Sequence, residues 1–318
     1  MSPIIALLLG LVLLFFGGEL LVRGSVSLAL KIHISTLVVG MTVVSFATSA
    51  PELFVSLQAV LNGSNDIAFG NVIGSNIANI TLVLGVTAVI FRVNISEKTA
   101  TLNYPVLLLA SLIFGAVLYY FSGVPQEVGF LFIFLLLVFT WILISNSRKE
   151  NLKSVNDNDE LLSEASSDSL FKSLGFLVAG IVLLKFGADY LVEGTIAIAK
   201  KFEISERVIA VTVVAIGTSI PELATSIVAA LKKEHNLAVG NLIGSNIFNI
   251  FAVLGVVASV KKIDIIDSAI LSFDYVYMII ITIILGLFIY AFSKRQISRK
   301  EGVLLLLIYI SYLYFSVY

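Results

Sequence analysis

Thr48-Ser49-Ala50-Pro51-Glu52 interrupts a long apolar run, and the chain carries the same pattern again as Thr218-Ser219-Ile220-Pro221-Glu222. A proline inside an apolar helix removes one backbone donor and frees the carbonyl four residues earlier. Here those carbonyls belong to Ala47 and Gly217, and local unwinding is expected to expose those of Thr48 and Thr218 as well. Beside them stand a threonine, a serine and a carboxylate. This is a set of hard oxygen donors without sulfur or imidazole, which suits calcium, sodium or magnesium. A carboxylate at membrane depth is costly and marks a functional site. Each stretch reads as half of a cation site.

The surrounding chain has 318 residues, 58% hydrophobic and 13% charged, with a mean hydropathy of +1.04. That balance excludes a soluble globular domain and indicates a polytopic membrane protein. A net charge of -1, with lysines and arginines at segment ends, argues against a nucleic-acid partner. The absence of cysteine excludes disulfides and thiolate metal sites. His33 and His235 lie at segment ends in different halves and read as surface residues, not a metal pair. Met1-Ser2-Pro3 and the apolar run after it lack the basic start and small-residue cleavage site of a signal peptide, so this run is expected to be the first span.

Runs long enough to cross a bilayer fall near 4–22, 36–61, 67–91, 103–121 and 126–146, then near 172–192, 206–231, 237–260, 271–292 and 302–317. The expected fold class is therefore an all-α polytopic membrane protein of ten transmembrane helices. The Ser-, Asn-, Asp- and Glu-rich stretch between the two sets reads as a linker, giving a first five-helix repeat over 1–146, a linker over 147–171 and a second repeat over 172–318. A shift of 170 aligns Leu7–Val86 with Leu177–Val256 without a gap, and 40 of those 80 pairs are identical. This is an internal duplication. Five spans per half make equivalent segments run in opposite directions. With the N-terminus outside, fourteen lysines and arginines fall in cytoplasmic connections, against Lys200, Lys201, Arg207, Lys261 and Lys262 outside. The expectation is a multi-pass protein of the cell membrane, both termini outside, linker cytoplasmic, built as two inverted repeats. Secondary transporters with that architecture hold their site at the midplane, where broken helices meet.

Glu19, Glu52, Asp189 and Glu222 are the acidic residues expected inside spans. Glu19 has Arg23 one turn on and Asp189 has Lys185 one turn before, so both read as neutralised pairs. Glu52 and Glu222 have no basic residue within a turn, and a bound ion is the expected counter-charge. A second repeated motif, Gly70-Asn71-Val72-Ile73-Gly74-Ser75-Asn76-Ile77-Ala78-Asn79, returns as Gly240-Asn241-Leu242-Ile243-Gly244-Ser245-Asn246-Ile247-Phe248-Asn249. Ser75 and Asn79 share one helix face, as do Ser245 and Asn249, and these four are candidate ligands. Asn76 and Asn246 lie off that face and read as structural.

These two motifs, duplicated over nearly the whole chain, resemble those of the calcium/cation antiporter superfamily and within it the sodium/calcium exchangers. The resemblance implies that the second, third, seventh and eighth spans form a central core. It implies that Glu52 and Glu222 ligate calcium with the backbone carbonyls of Thr48 and Thr218. Ser49, Ser75, Asn79, Ser219, Ser245 and Asn249 would line sodium subsites, with carbonyls of Ser45 and Ala215 contributing. The first and sixth spans would slide across that core as a gating pair. Two departures stand out: Ala47 replaces the family's glycine before Thr48, and Asn249 stands where some relatives carry Asp. The second leaves two carboxylates in the site and weakens the case for potassium co-transport.

The expected function is exchange of Ca2+ for Na+ by alternating access, with both ions as cargo, no cofactor, the lipid bilayer as surroundings and no protein partner evident. Ca2+/H+ antiport is the alternative, because buried glutamates can carry protons. Two intramembrane carboxylates could also form an acid–base dyad, but the serines, threonine and asparagines would then be superfluous, and no enzyme is expected. A passive channel is disfavoured, since paired broken helices around a neutralisable site suit alternating access.

Overall fold

The structure is a computed structural model that describes residues 3–31, 34–151, 169–199, 215–292 and 295–317. A chain this apolar satisfies its backbone within helices, and the described residues form helices almost throughout. In order they are α1 (Pro3–Lys31), α2 (Thr36–Thr48), α3 (Ala50–Leu61), α4 (Asn65–Ile90), α5 (Thr99–Phe121), α6 (Gln126–Asn151), α7 (Leu170–Ala199), α8 (Ala215–Thr218), α9 (Ile220–Leu231), α10 (His235–Val260), α11 (Ile270–Phe292) and α12 (Arg299–Val317). Among the described residues, seven helices are long and apolar enough to cross a membrane, and eight spans result if the bent pair α2–α3 counts as one. Ala215–Leu231 is a shorter apolar helix, and residues 206–214 of the expected seventh span lie outside the described residues. The final expected span coincides with the helix α12, which is not one of these seven.

Helix ends depart from the hydropathy runs where packing carries the helix onward. α1 continues to Lys31, which puts Glu19 and Arg23 inside one helix. α6 continues past 146 to Asn151, and the buried Ser147 hydroxyl accepts the Ser35 backbone N–H at 2.8 Å. The linker expected over 147–171 is thus shorter at both ends, and 152–168 lie outside the described residues.

The centre is α4 and α10, each 78% buried along its span, whereas α6 is only 22% buried. α6, α11 and α12 turn Phe130, Trp141, Ile283 and Leu307 outward, as a hydrocarbon environment allows. α1 and α7 lie against each other at glycines. A Cβ on Gly17 would meet the Leu184 backbone nitrogen at 2.8 Å, and one on Gly180 would meet that of Leu21 at 2.7 Å. Only small residues permit such close approach, and the Ser27 and Ser173 hydroxyls complete the seam at 2.6 Å.

Two antiparallel β pairs, unforeseen from sequence, tie loops of the two halves together. β1 (Val93–Asn94) pairs with β4 (Gln296–Ile297), and β2 (Gly123–Val124) pairs with β3 (Ile263–Asp264).

Candidate cation site

Pro51 and Pro221 sit in the first turn of α3 and α9, where an N–H would have no acceptor within its own helix, so the missing donor costs that helix nothing. Before them the chain breaks. Ser49 takes φ -84° and ψ 4°, and Ser219 takes φ -85° and ψ 1°. α3 leaves α2 at 41°. The break makes Glu52 and Glu222 first-turn residues of the helices that follow, where the positive helix end favours a carboxylate. A second irregularity marks the asparagines: α4 and α10 widen into π turns at Asn79–Val83 and Asn249–Val253, a feature common at functional sites.

All twelve candidate ligand residues are buried: Ser45, Thr48, Ser49, Glu52, Ser75, Asn79, Ala215, Thr218, Ser219, Glu222, Ser245 and Asn249. The structure brings them together across the two halves. Thr48 Oγ1 lies 3.2 Å from Ser245 Oγ, and Thr218 Oγ1 lies 3.1 Å from Ser75 Oγ. The Ser75 and Thr218 hydroxyls flank Glu52, while Ser245, Thr48 and Ser49 flank Glu222. Each glutamate therefore stands between a serine of its own half and a threonine of the other. The two carboxylates are near enough to repel each other.

Both oxygens of Glu52 and Oε2 of Glu222 are buried without a hydrogen-bond partner, while Oε1 of Glu222 accepts from Ser49 Oγ at 3.5 Å, a long contact. Asn79 Oδ1, Asn249 Oδ1 and Ser219 Oγ are likewise unpartnered. The Ser45 carbonyl accepts the Ser49 backbone N–H at 2.9 Å, which leaves it a second lone pair, and the Ala215 carbonyl accepts the Ser219 N–H at 3.2 Å with the Thr218 hydroxyl at a longer 3.4 Å. Ser45 Oγ itself is turned away, donating to Gly40 and Asn241 carbonyls. Among the described residues no three His, Cys, Asp or Glu gather, so any bound cation would meet two carboxylates and otherwise neutral oxygens. Unpaired buried charge costs several kcal/mol, and a cation removes that cost.

Asn71 and Asn241 contribute in a way that sequence reading did not assign. Thr48 Oγ1 donates to Asn241 Oδ1, and Thr218 Oγ1 donates to Asn71 Oδ1, both at 3.1 Å. With the threonine proton on the asparagine, the neighbouring serine hydroxyl donates to the threonine oxygen, which keeps one lone pair. Asn71 and Asn241 fall four residues before Ser75 and Ser245, so shared helix face was a usable signal. Asn76 and Asn246 receive hydrogen bonds from Asn249 and Asn79. The ion pairs differ as well. Lys185 and Asp189 pair at 2.6 Å as spacing suggested. Glu19 pairs with Lys232 at the end of α9, and Arg23 lies 5.0 Å over the Phe176 ring of α7. The packing of α1 on α9 creates the first contact, which no local spacing reveals.

A family model described as sodium/calcium exchanger protein matches residues 2–145 and 172–318. CaxA of Alkalimonas amylolytica is 37% identical over 98% of this chain and 97% of its own. The sodium/calcium exchanger MaX1 of Methanosarcina acetivorans is 31% identical over 96% of each. A solved structure of the sodium-calcium exchanger NCX_Mj, soaked with sodium and calcium, superposes with a TM-score of 0.80 at 30% identity, covering 98% of both chains.

Proposed function

The chain belongs to the sodium/calcium exchanger protein family, and we propose that it exchanges Ca2+ for Na+ across the cell membrane through a site built on Glu52 and Glu222. One observation carries this reading: two fully buried carboxylates lie within electrostatic reach of each other, and three of their four oxygens accept no hydrogen bond. Ca2+ takes 6–8 oxygens in general, and two carboxylates neutralise it. The threonine and serine hydroxyls, the asparagine carbonyls and the backbone carbonyls at the break fill the remaining coordination. Sodium ions divide the same oxygens into smaller subsites and compete for the glutamates.

The proposed architecture is ten spans in two inverted repeats, termini outside. It is supported by the loop pairing, since β1 and β4 both belong to connections assigned to the cytoplasm and β2 and β3 to connections assigned outside. Coupling follows from charge. An empty site keeps two like charges in a dry core, so only the loaded site closes and switches sides. α1 and α7, sealed together, move across the core as the gating pair.

The test is purified protein in sealed liposomes loaded with calcium. An inward sodium gradient is expected to drive calcium out, and Glu52→Gln or Glu222→Gln to slow this by at least about thirtyfold, from roughly 2 kcal/mol or more of lost charge pairing. Calcium flux that follows a pH gradient and ignores sodium would replace this reading with Ca2+/H+ antiport. Flux without any counter-ion would remove the antiport reading altogether.

A further inference from the structure

An amide side chain has a wrong way round. Its Oδ1 suits a cation and its Nδ2 repels one, whereas a carboxylate offers oxygen in either orientation. Asn79 and Asn249 are both amides, so something must hold their oxygens toward the ions. Asn249 Nδ2 donates to Asn76 Oδ1 at 3.1 Å, and Asn79 Nδ2 donates to Asn246 Oδ1 at 3.1 Å. Both bonds cross between α4 and α10, and both leave Oδ1 of the donor residue buried and without a partner. Asn76 is itself oriented, with Nδ2 directed at Met278 Sδ at 3.7 Å. The wall behind Asn79 and Asn246 is apolar, formed by Ile80, Leu84, Leu242 and Leu285, so it offers an amide no competing partner.

We propose that Asn76 and Asn246 are positioning residues: they touch no ion, but each fixes the amide of the opposite half so that only its carbonyl oxygen is offered to the cation. This rests on the ion-site reading above. It explains how position 249 serves without a carboxylate. The same bond gives the site its neutral amide and the orientation that amide requires.

The experiment measures calcium binding to the full-length purified protein by titration calorimetry. Asn76→Ala is expected to weaken calcium binding about 10–100-fold, the usual effect of losing a residue that orients a ligand. In an Asn249→Asp background the carboxylate needs no orientation, so adding Asn76→Ala is expected to change affinity by no more than about twofold, the scatter of uncoupled sites. The mirror cycle, Asn246→Ala with and without Asn79→Asp, reads the same coupling should one variant fail to fold. An equal loss in both backgrounds, or no loss in the native one, overturns the proposal. Glu222→Gln is measured alongside. If it loses calcium while Asn76→Ala does not, positioning fails and the ion site stands. If Glu222→Gln binds calcium as before, the ion-site reading fails instead.

Discussion

Thr48 and Thr218 are buried hydroxyls whose protons are already committed to Asn241 and Asn71. A hydroxyl held this way is an acceptor only, which is what a cation needs. Thr48→Val and Thr218→Val keep the shape and remove the oxygen. Each is expected to weaken calcium binding about tenfold or more, from the roughly 1.5 kcal/mol of a contact with a charged group, and by comparable factors because the surroundings repeat. Titration calorimetry checks both, and a silent pair would remove the threonines from the site. The residue types at 48–52 and 218–222 were legible because they recur and because Glu52 and Glu222 lack a local counter-charge. The partners of Asn71 and Asn241 were not, since the bond from Thr218 to Asn71 spans 147 positions: a shared helix face marks Asn71 as a neighbour of Ser75 but does not name the threonine it meets.

At the scale of elements, α1 and α7 form one sealed unit, and α1 also leans on α9 through Glu19 and Lys232. The chain has no native cysteine, so paired cysteines report cleanly. A Ser27→Cys/Ser173→Cys bridge lies within the proposed gating pair and is expected to leave sodium-driven calcium flux intact. A Glu19→Cys/Lys232→Cys cross-link ties that pair to the core and is expected to stop flux until a reductant is added. Flux that continues through the second bridge would exclude sliding of α1 past α9. Gly17→Ala puts a methyl group where the Leu184 backbone nitrogen would lie 2.8 Å away. Overpacking of this kind costs about 1–3 kcal/mol, read as a lower melting temperature. Helix positions followed from hydropathy, but helix ends did not. Ser147 is held in α6 by a bond to Ser35 that only the fold supplies. The π turns at Asn79 and Asn249 also escaped, because their sequences are ordinary for apolar helices.

For the whole molecule, ligand binding and stability are linked. A cation that binds only the folded state adds about 2.7 kcal/mol at a hundred times its dissociation constant. Calcium is therefore expected to raise the melting temperature of the native protein and not that of Glu52→Gln/Glu222→Gln. An equal shift in both would place calcium elsewhere. The charge asymmetry behind the expected orientation is a global property of the sequence, whereas the β pairs that join its loops are two-residue strands too short to leave a sequence pattern.

The exchange of threonines between halves has a consequence for how the protein is made. Glu52 enters the membrane long before Thr218 is synthesised, so the early half holds a carboxylate without its partner hydroxyl. Neither half alone contains a complete ion cage. On the site proposed above, a truncated chain is thus expected to bind no calcium until the last motif has docked. The proposed site therefore requires exchange competence to arise late, once both halves are in place.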